Sequence, residues 1–190
     1  MAAQLGLFGS TNRVLVDDAT GRVAYYPDVL NVSESRELFE LVLSHAPWKN
    51  EQMWMYDKMV DVPRKSAYYG SDCPLLLLEA KRRIEEQLDY QFSNVSLNYY
   101  RSGRDSVAWH SDRIEEMRPN PTIALLSLGS TRQMLLRTKA RPRRTLSIDL
   151  DPGSVFVMSG ASQECWEHTI PKTLRPADPR ISVAFRPYRG

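Results

Sequence analysis

Two histidines and an aspartate are the residues whose types and spacing point most directly to chemistry. In NYYRSGRDSVAWHSD, residues 98–112, His110 and Asp112 stand two positions apart. On an extended strand that spacing turns both side chains to one face. A third donor, His168, closes the segment GSVFVMSGASQECWEH, in which an apolar, β-branched run over 155–158 leads through a Gly-containing turn. Two imidazoles and one carboxylate make the facial triad that holds non-haem Fe(II) and leaves positions open for a chelating acid and O2. A His-x-Asp tripeptide alone carries little weight, but the chain has only three histidines and two of them fall at these positions. The third, His45, lies near the end of a helix-like segment before Pro47. An imidazole suits the carbonyl end of a helix dipole, so His45 reads as structural.

Near the C-terminus, RISVAFR carries Arg180 and Arg186 six positions apart. On a strand both then face one side, together with Ser182 and Ala184. A guanidinium offers a carboxylate a planar, bidentate fork, so either arginine can anchor a dianion in an otherwise apolar pocket. The competing reading makes them surface or interface charges.

Together with VPRKSAYYG at 62–70, these strings run in the order of a known family. Over roughly residues 50–190 the chain resembles the AlkB-type Fe(II)/2-oxoglutarate-dependent dioxygenases, which oxidatively demethylate alkylated nucleobases. The family's Asn-x-Tyr falls on Asn98 and Tyr100, its His-x-Asp on His110 and Asp112, its distal His on His168, and its Arg-x5-Arg on Arg180 and Arg186. The resemblance implies that Fe(II) sits on His110, Asp112 and His168, with 2-oxoglutarate as co-substrate and O2 as oxidant. It further implies that Arg180 and Arg186 engage 2-oxoglutarate, helped by Asn98 and Tyr100. The family often has Asn where this chain has Ser182, which is counted with the same pocket. The implied substrate is an N-alkylated base in single- or double-stranded DNA or RNA, demethylated with loss of formaldehyde. An unpaired base costs less to extrude, so single strands are favoured energetically.

The elements that must position these residues change character once along the chain. SESRELFELVLSHA, residues 33–46, places Leu38, Leu41 and Val42 at helical spacing behind a Ser33 cap, and Pro47 ends it. A second helix follows Pro74 to about Leu88. From Phe92 onward strand signals dominate: VSLNYY, TIALLSLG, QMLLRT, TLSIDL, SVFVM and ISVAF, separated by Gly, Pro, Asp and Arg. Helices first and short strands later predict an α+β fold with helices buttressing a β-sandwich. The resemblance makes that sandwich a double-stranded β-helix, or jelly-roll.

Substrate choice is expected in NEQMWMYDKMVDVPRKSAYYG, residues 50–70, which the resemblance makes a nucleotide-recognition lid. Met53, Trp54, Met55, Tyr56 and Met59 crowd apolar groups around Asp57 and Lys58. An exposed apolar finger can wedge into a base stack, and Tyr56 or Trp54 is the candidate; ordinary packing of this cluster over the helices is the equal alternative. Arg64 is expected to contact phosphate or base, and Tyr69 is counted with the substrate-binding residues. The chain departs from the family after Gly70, where SDCPLLLLEA replaces a Tyr-rich loop. It departs again after the His-Ser-Asp, where Arg113, Ile114, Glu115 and Glu116 replace an immediate acidic pair, so Glu115 is expected to meet a cationic base. RTKARPRR, residues 137–144, has five basic residues in eight, Arg141 among them. It reads either as a solvated basic loop or, as the implied substrate favours, as a phosphate contact.

At 190 residues, 42% hydrophobic and 25% charged, the chain can bury one core without splitting, so a single domain over 1–190 is expected. It has no apolar run long enough for a membrane helix, and MAAQLGLFGSTNR lacks the marks of a signal peptide. An intracellular, cytoplasmic protein without a membrane partner is the expectation, and no oligomeric state follows from the sequence. Cys73 and Cys165 show no disulfide or zinc spacing. A net charge of +2 neither demands nor excludes a polyanion. Two other functions stay open. One is the same oxidation of a protein side chain or small molecule, motivated by the poorly matched lid. The other is a non-enzymatic, cupin-like metal-binding module, which leaves the paired arginines unexplained.

Overall fold

The structure, a computed structural model, describes residues 11–55, 57–70, 72–175 and 177–189, apart from the side chains of Met53, Met55 and Lys58. In chain order the elements are β1 (Arg13–Asp18), β2 (Gly21–Tyr26), α1 (Val32–His45), β3 (Lys49–Met55), β4 (Lys58–Tyr69), α2 (Leu75–Leu88), β5 (Asn94–Tyr100), β6 (Val107–His110), β7 (Ile123–Gly129), β8 (Arg132–Thr138), β9 (Thr145–Leu150), β10 (Val155–Ser159), α3 (Ser162–Cys165), β11 (Trp166–Ile170) and β12 (Arg180–Arg186). The strands form two antiparallel sheets, an eight-stranded one in the order β1-β2-β10-β7-β12-β5-β4-β3 and a four-stranded one in the order β6-β11-β8-β9.

Period-two alternation sorts the large sheet into two faces. Leu97, Ala124, Leu126, Val157, Val183 and Phe185 pack against Leu38, Val42, Leu77 and Ile84 of α1 and α2. Tyr25, Tyr100, Leu125, Phe156 and Ala184 turn the other way and meet Met134, Leu136, Ile148, Trp166 and Ile170 of the small sheet. The helices therefore buttress one face of a jelly-roll, and the interior between the sheets carries the residues singled out for chemistry.

Two expectations about local structure are corrected. The cap of α1 is Asn31 rather than Ser33: Asn31 Oδ1 accepts from the Glu34 N–H, and the Glu34 carboxylate accepts from the Asn31 N–H. That reciprocal pair satisfies two otherwise free donors, and Glu34 also binds Arg83 of α2, tying the helices together. Strands also precede the helices. β1 is an edge strand with only Val16 buried, so its sequence lacks the alternation by which a half-buried strand is recognised.

Gly129 shows how tightly the fold holds the C-terminal arginines. It ends β7 opposite Arg180 with φ +83, where a Cβ would lie 2.4 Å from the Pro179 carbonyl. Only glycine fits that approach without strain.

Candidate active site

Antiparallel pairing of β6 with β11 sets His168 opposite His110, with ring centroids 4.3 Å apart. The ligand atoms of His110, Asp112 and His168 all lie within 4.8 Å of one another. Strand alternation does not bring Asp112 there, because β6 ends at His110 and Asp112 lies beyond it. Its carboxylate is held from the large sheet instead: Arg186 Nε donates to Asp112 Oδ2 at 2.9 Å, and Arg186 Nη1 donates to Ser96 Oγ at 2.6 Å.

Protonation in this cluster suits a cation. His110 Nδ1 lies 2.8 Å from the Ala108 carbonyl, which can only accept, and its Nε2 lies 3.8 Å from Asp112 Oδ1. Burial, reinforced by His110, pushes His168 down to about 3, so its imidazole is neutral at physiological pH. Burial raises the Asp112 carboxyl, but Arg186 and the two histidines outweigh it and hold the group below the usual carboxylate range. Two imidazoles and a carboxylate are the donor set that divalent iron takes.

Beside the cluster lies a second feature that the fold alone leaves unsatisfied. Arg180 is 1% exposed, and its Nη2 donates to Ser127 Oγ at 3.0 Å, yet Nε and Nη1 are buried without a hydrogen-bond partner among the described residues. Burial pulls this guanidinium down to about 10, against the neighbouring Tyr100, so it stays cationic at neutral pH. The Tyr100 ring stands between two guanidinium groups, 5.4 Å from that of Arg180 and 5.7 Å from that of Arg132. Arg132 spends its donors on the carbonyls of Ser102, Asp105 and Pro171. Each unpaired buried donor costs about 1–3 kcal/mol, so an incoming carboxylate would be welcome at Arg180. Asn98 and Ser182 pair across β5 and β12 on the same face. Ser182 is buried, and Asn98 Oδ1 accepts from Arg64 Nε at 2.8 Å. The donors and the protonation state thus fit both a divalent metal and a dicarboxylate.

At the mouth the expectations fare unevenly. Arg64 is tied to Asn98 and so to the pocket wall. Trp54 is 67% exposed beside the also exposed Met59 on the β3–β4 hairpin, which favours the finger over packing on the helices. Tyr56 lies outside the described residues, as does the start of the N-terminal segment. Tyr69 is not at the mouth: it packs against the helix-side core with Cys73, its hydroxyl buried and without a partner among the described residues. Alternation from Arg64 through Ser66 selects Tyr68 instead, and that signal was present in the sequence. Tyr68 is 60% exposed; burial and the Glu51 carboxylate push its hydroxyl up, against Arg186 and Arg64. A register shift in β3 between Asn50 and Gln52 leaves Glu51 bonded to Ser66 Oγ, another residue that sequence reasoning missed.

Glu115 is exposed and lines a cleft of about 540 Å3 with Arg113, Glu116 and Tyr188. In the basic segment, Arg137 belongs to β8 and binds Glu167, Lys139 Nζ donates to the Gln163 carbonyl, and Arg144 binds Asp18. Arg141 and Arg143 are exposed and, among the described residues, make no ion pair. A run of five basic residues therefore offers two free cations, because the fold uses the other three.

Residues 65–186 match the model of the 2OG-Fe(II) oxygenase superfamily. The human (Homo sapiens) alpha-ketoglutarate-dependent dioxygenase alkB homolog 3 is 32% identical over 188 residues, covering 87% of this chain and 65% of that protein. The mouse (Mus musculus) DNA oxidative demethylase ALKBH2 is 30% identical over 155 residues, covering 70% of this chain and 64% of that protein. This chain thus spans about 65% of the length of these curated relatives. The solved structure of OsALKBH1 superposes with a TM-score of 0.64 at 12% identity, covering 93% of this chain and all of that one. An oxidoreductase of the 2OG-Fe(II) oxygenase family from Burkholderia pseudomallei gives 0.60 at 12% identity, covering 88% and 85%. Both share the fold.

Proposed function

The chain belongs to the 2OG-Fe(II) oxygenase superfamily, and on that premise we propose that it uses Fe(II), 2-oxoglutarate and O2 to demethylate N-alkylated bases in DNA or RNA. The observations that carry the chemistry are the His110–Asp112–His168 cluster and the buried guanidinium of Arg180, whose Nε and Nη1 have no partner among the described residues. Similarity to a DNA oxidative demethylase supports the nucleic-acid substrate. The exposed Trp54 and Met59 on the β3–β4 hairpin support a lid that reads it.

His110, Asp112 and His168 would hold the metal. Bound Fe(II) with 2-oxoglutarate supplies the oxidation: O2 splits between decarboxylation to succinate and CO2 and hydroxylation of an N-methyl group, which leaves as formaldehyde. Everything else falls to the protein. Arg186 holds the Asp112 carboxylate in its ionised form through a charge-assisted bond. Arg180 receives the far carboxylate of the co-substrate on Nε and Nη1, in a pocket walled by Tyr100, Asn98 and Ser182. Arg64 fixes the Asn98 amide by occupying its oxygen. Over the mouth, Tyr68 offers an aromatic face, Glu51 and Glu115 offer negative charge to a cationic base, and Arg141 and Arg143 offer cations to phosphate. Together the hairpin and the sandwich make one catalytic domain.

The test is anaerobic loading with Fe(II) and 2-oxoglutarate, then air and a panel of methylated single- and double-stranded oligonucleotides and methylated peptides, read by mass spectrometry. Loss of one CH2 per repaired base with matching succinate is the expected result. Succinate formation with unaltered oligonucleotides and altered peptides would move the substrate to protein.

A further inference from the structure

Asp112 raises a positioning problem, because it lies past the end of β6 and no sheet ladder places its backbone. Three hydrogen bonds do so. Arg186 holds the carboxylate, Ser111 Oγ donates to the Trp166 carbonyl at 2.9 Å, and the Asp112 N–H donates to Gln163 Oε1 at 2.8 Å. Gln163 is 3% exposed. A backbone N–H can only donate, so this bond decides which end of the amide faces Asp112. The other end, Nε2, donates to Met158 Sδ at 3.3 Å, and the Gln163 carbonyl accepts from Lys139 Nζ at 2.8 Å.

A buried amide is costly unless bonded, and an apolar side chain of similar size would fill the same space at lower cost. The amide earns its place only if one of its bonds matters. Gln163 lies on α3, which runs directly into β11, the strand that carries His168. The turn is itself firmly seated: Gly21, at φ +111, packs so closely that a Cβ there would lie 2.4 Å from Ser162 N. One short helical turn thus touches the backbone of one ligand residue and is covalently continuous with another.

We propose that Gln163 is a positioning residue that sets Asp112 against His168, so that the spacing of the metal's ligands is fixed by α3 rather than left to the loop after β6. The inference rests on the metal-site reading above. Outer residues that orient metal ligands change metal affinity by about 10- to 100-fold when removed.

The experiment measures Mn(II) binding to the metal-free protein by loss of the free-ion EPR signal, alongside thermal unfolding of the same metal-free samples. Gln163→Leu should weaken Mn(II) by at least about tenfold. Gln163→Glu, which keeps an acceptor toward the Asp112 N–H, should recover most of that loss. Met158→Leu, which removes only the partner of Nε2, should stay within about twofold of wild type. Should Gln163→Leu fail to fold, Gln163→Met, with a flexible stem and no strong acceptor, takes its place. A lower melting temperature with wild-type Mn(II) affinity in Gln163→Leu or Gln163→Met would overturn the proposal and leave Gln163 a purely structural residue. Wild-type Mn(II) affinity in Asp112→Ala would instead overturn the metal-site reading on which it depends.

Discussion

The floor of the site and its mouth are built on opposite rules. On the floor, His168, Arg180, Ser127 and Tyr100 are buried between two sheets, and Arg180 Nη2 donates to Ser127 Oγ. Arg180 Nε and Nη1 have no partner among the described residues. At the mouth, Trp54, Met59 and Tyr68 stand open on β3 and β4, beside charges with few fixed partners. The contrast teaches that strand register places the histidines and arginines of the floor, whereas the open side chains of the hairpin cost the fold little to change. Surface substitutions away from caps and networks usually alter stability by less than about 0.5 kcal/mol, whereas breaking a buried charged network costs several.

Substitutions on the two sides should separate cleanly, and the largest effect belongs to the floor. His168→Ala or Asp112→Ala should reduce Fe(II)-dependent succinate formation to background while the far-ultraviolet circular dichroism stays that of the parent. Normal succinate output in either would break the comparison at its root. Next comes Arg180→Met. It should raise the KM for 2-oxoglutarate by roughly 10- to 150-fold, the equivalent of about 1.5–3 kcal/mol for a lost charge-assisted bond. It should not lower the melting temperature of the protein without 2-oxoglutarate, because a buried cation with two idle donors is exchanged for an apolar side chain. A large loss of stability would mean that Arg180 serves the fold rather than a ligand.

At the mouth, Trp54→Ala should leave uncoupled 2-oxoglutarate turnover and melting temperature unchanged while weakening oligonucleotide binding by about tenfold, within the range for one lost stacking contact. Equal affinity in a fluorescence anisotropy titration would return Trp54 to the role of a bare surface residue. The smallest effect is expected from Arg141→Ala with Arg143→Ala. The slope of log affinity against log salt should flatten by about 1.4 for single strands, two phosphate contacts at about 0.7 each. An unchanged slope would assign phosphate binding elsewhere on the surface.

What was legible in the sequence follows the same division. His110, His168, Arg180 and Arg186 are readable because their chemistry depends on residue type and because a single strand carries Arg180 and Arg186 at an even spacing. Asp112 lies beside His110 as the spacing suggests, but not through strand alternation, since the strand ends at His110, two residues short of it. Tyr69 was chosen where period two from Arg64 indicates Tyr68. Asn31 was passed over for Ser33 because both are good caps, and only the reciprocal bond with Glu34 separates them. In the basic segment a count of arginines cannot separate the exposed Arg141 and Arg143 from Arg137 and Arg144, whose partners Glu167 and Asp18 arrive from distant parts of the chain. Gln163 was invisible for a related reason: a neutral amide carries no signal until its two ends are seen to be used.

The idle donors of Arg180 have one more consequence, for the lifetime of the protein rather than its chemistry. A ligand that binds only the folded state adds RT ln(1 + [L]/Kd) to its stability, about 2.7 kcal/mol at a hundredfold excess over Kd. Were 2-oxoglutarate to bind there, its abundance would deepen the folded population, and its scarcity would let the same chain open and meet proteases more often. The abundance of the protein would then track the supply of that ligand, through two nitrogens that have no partner among the described residues.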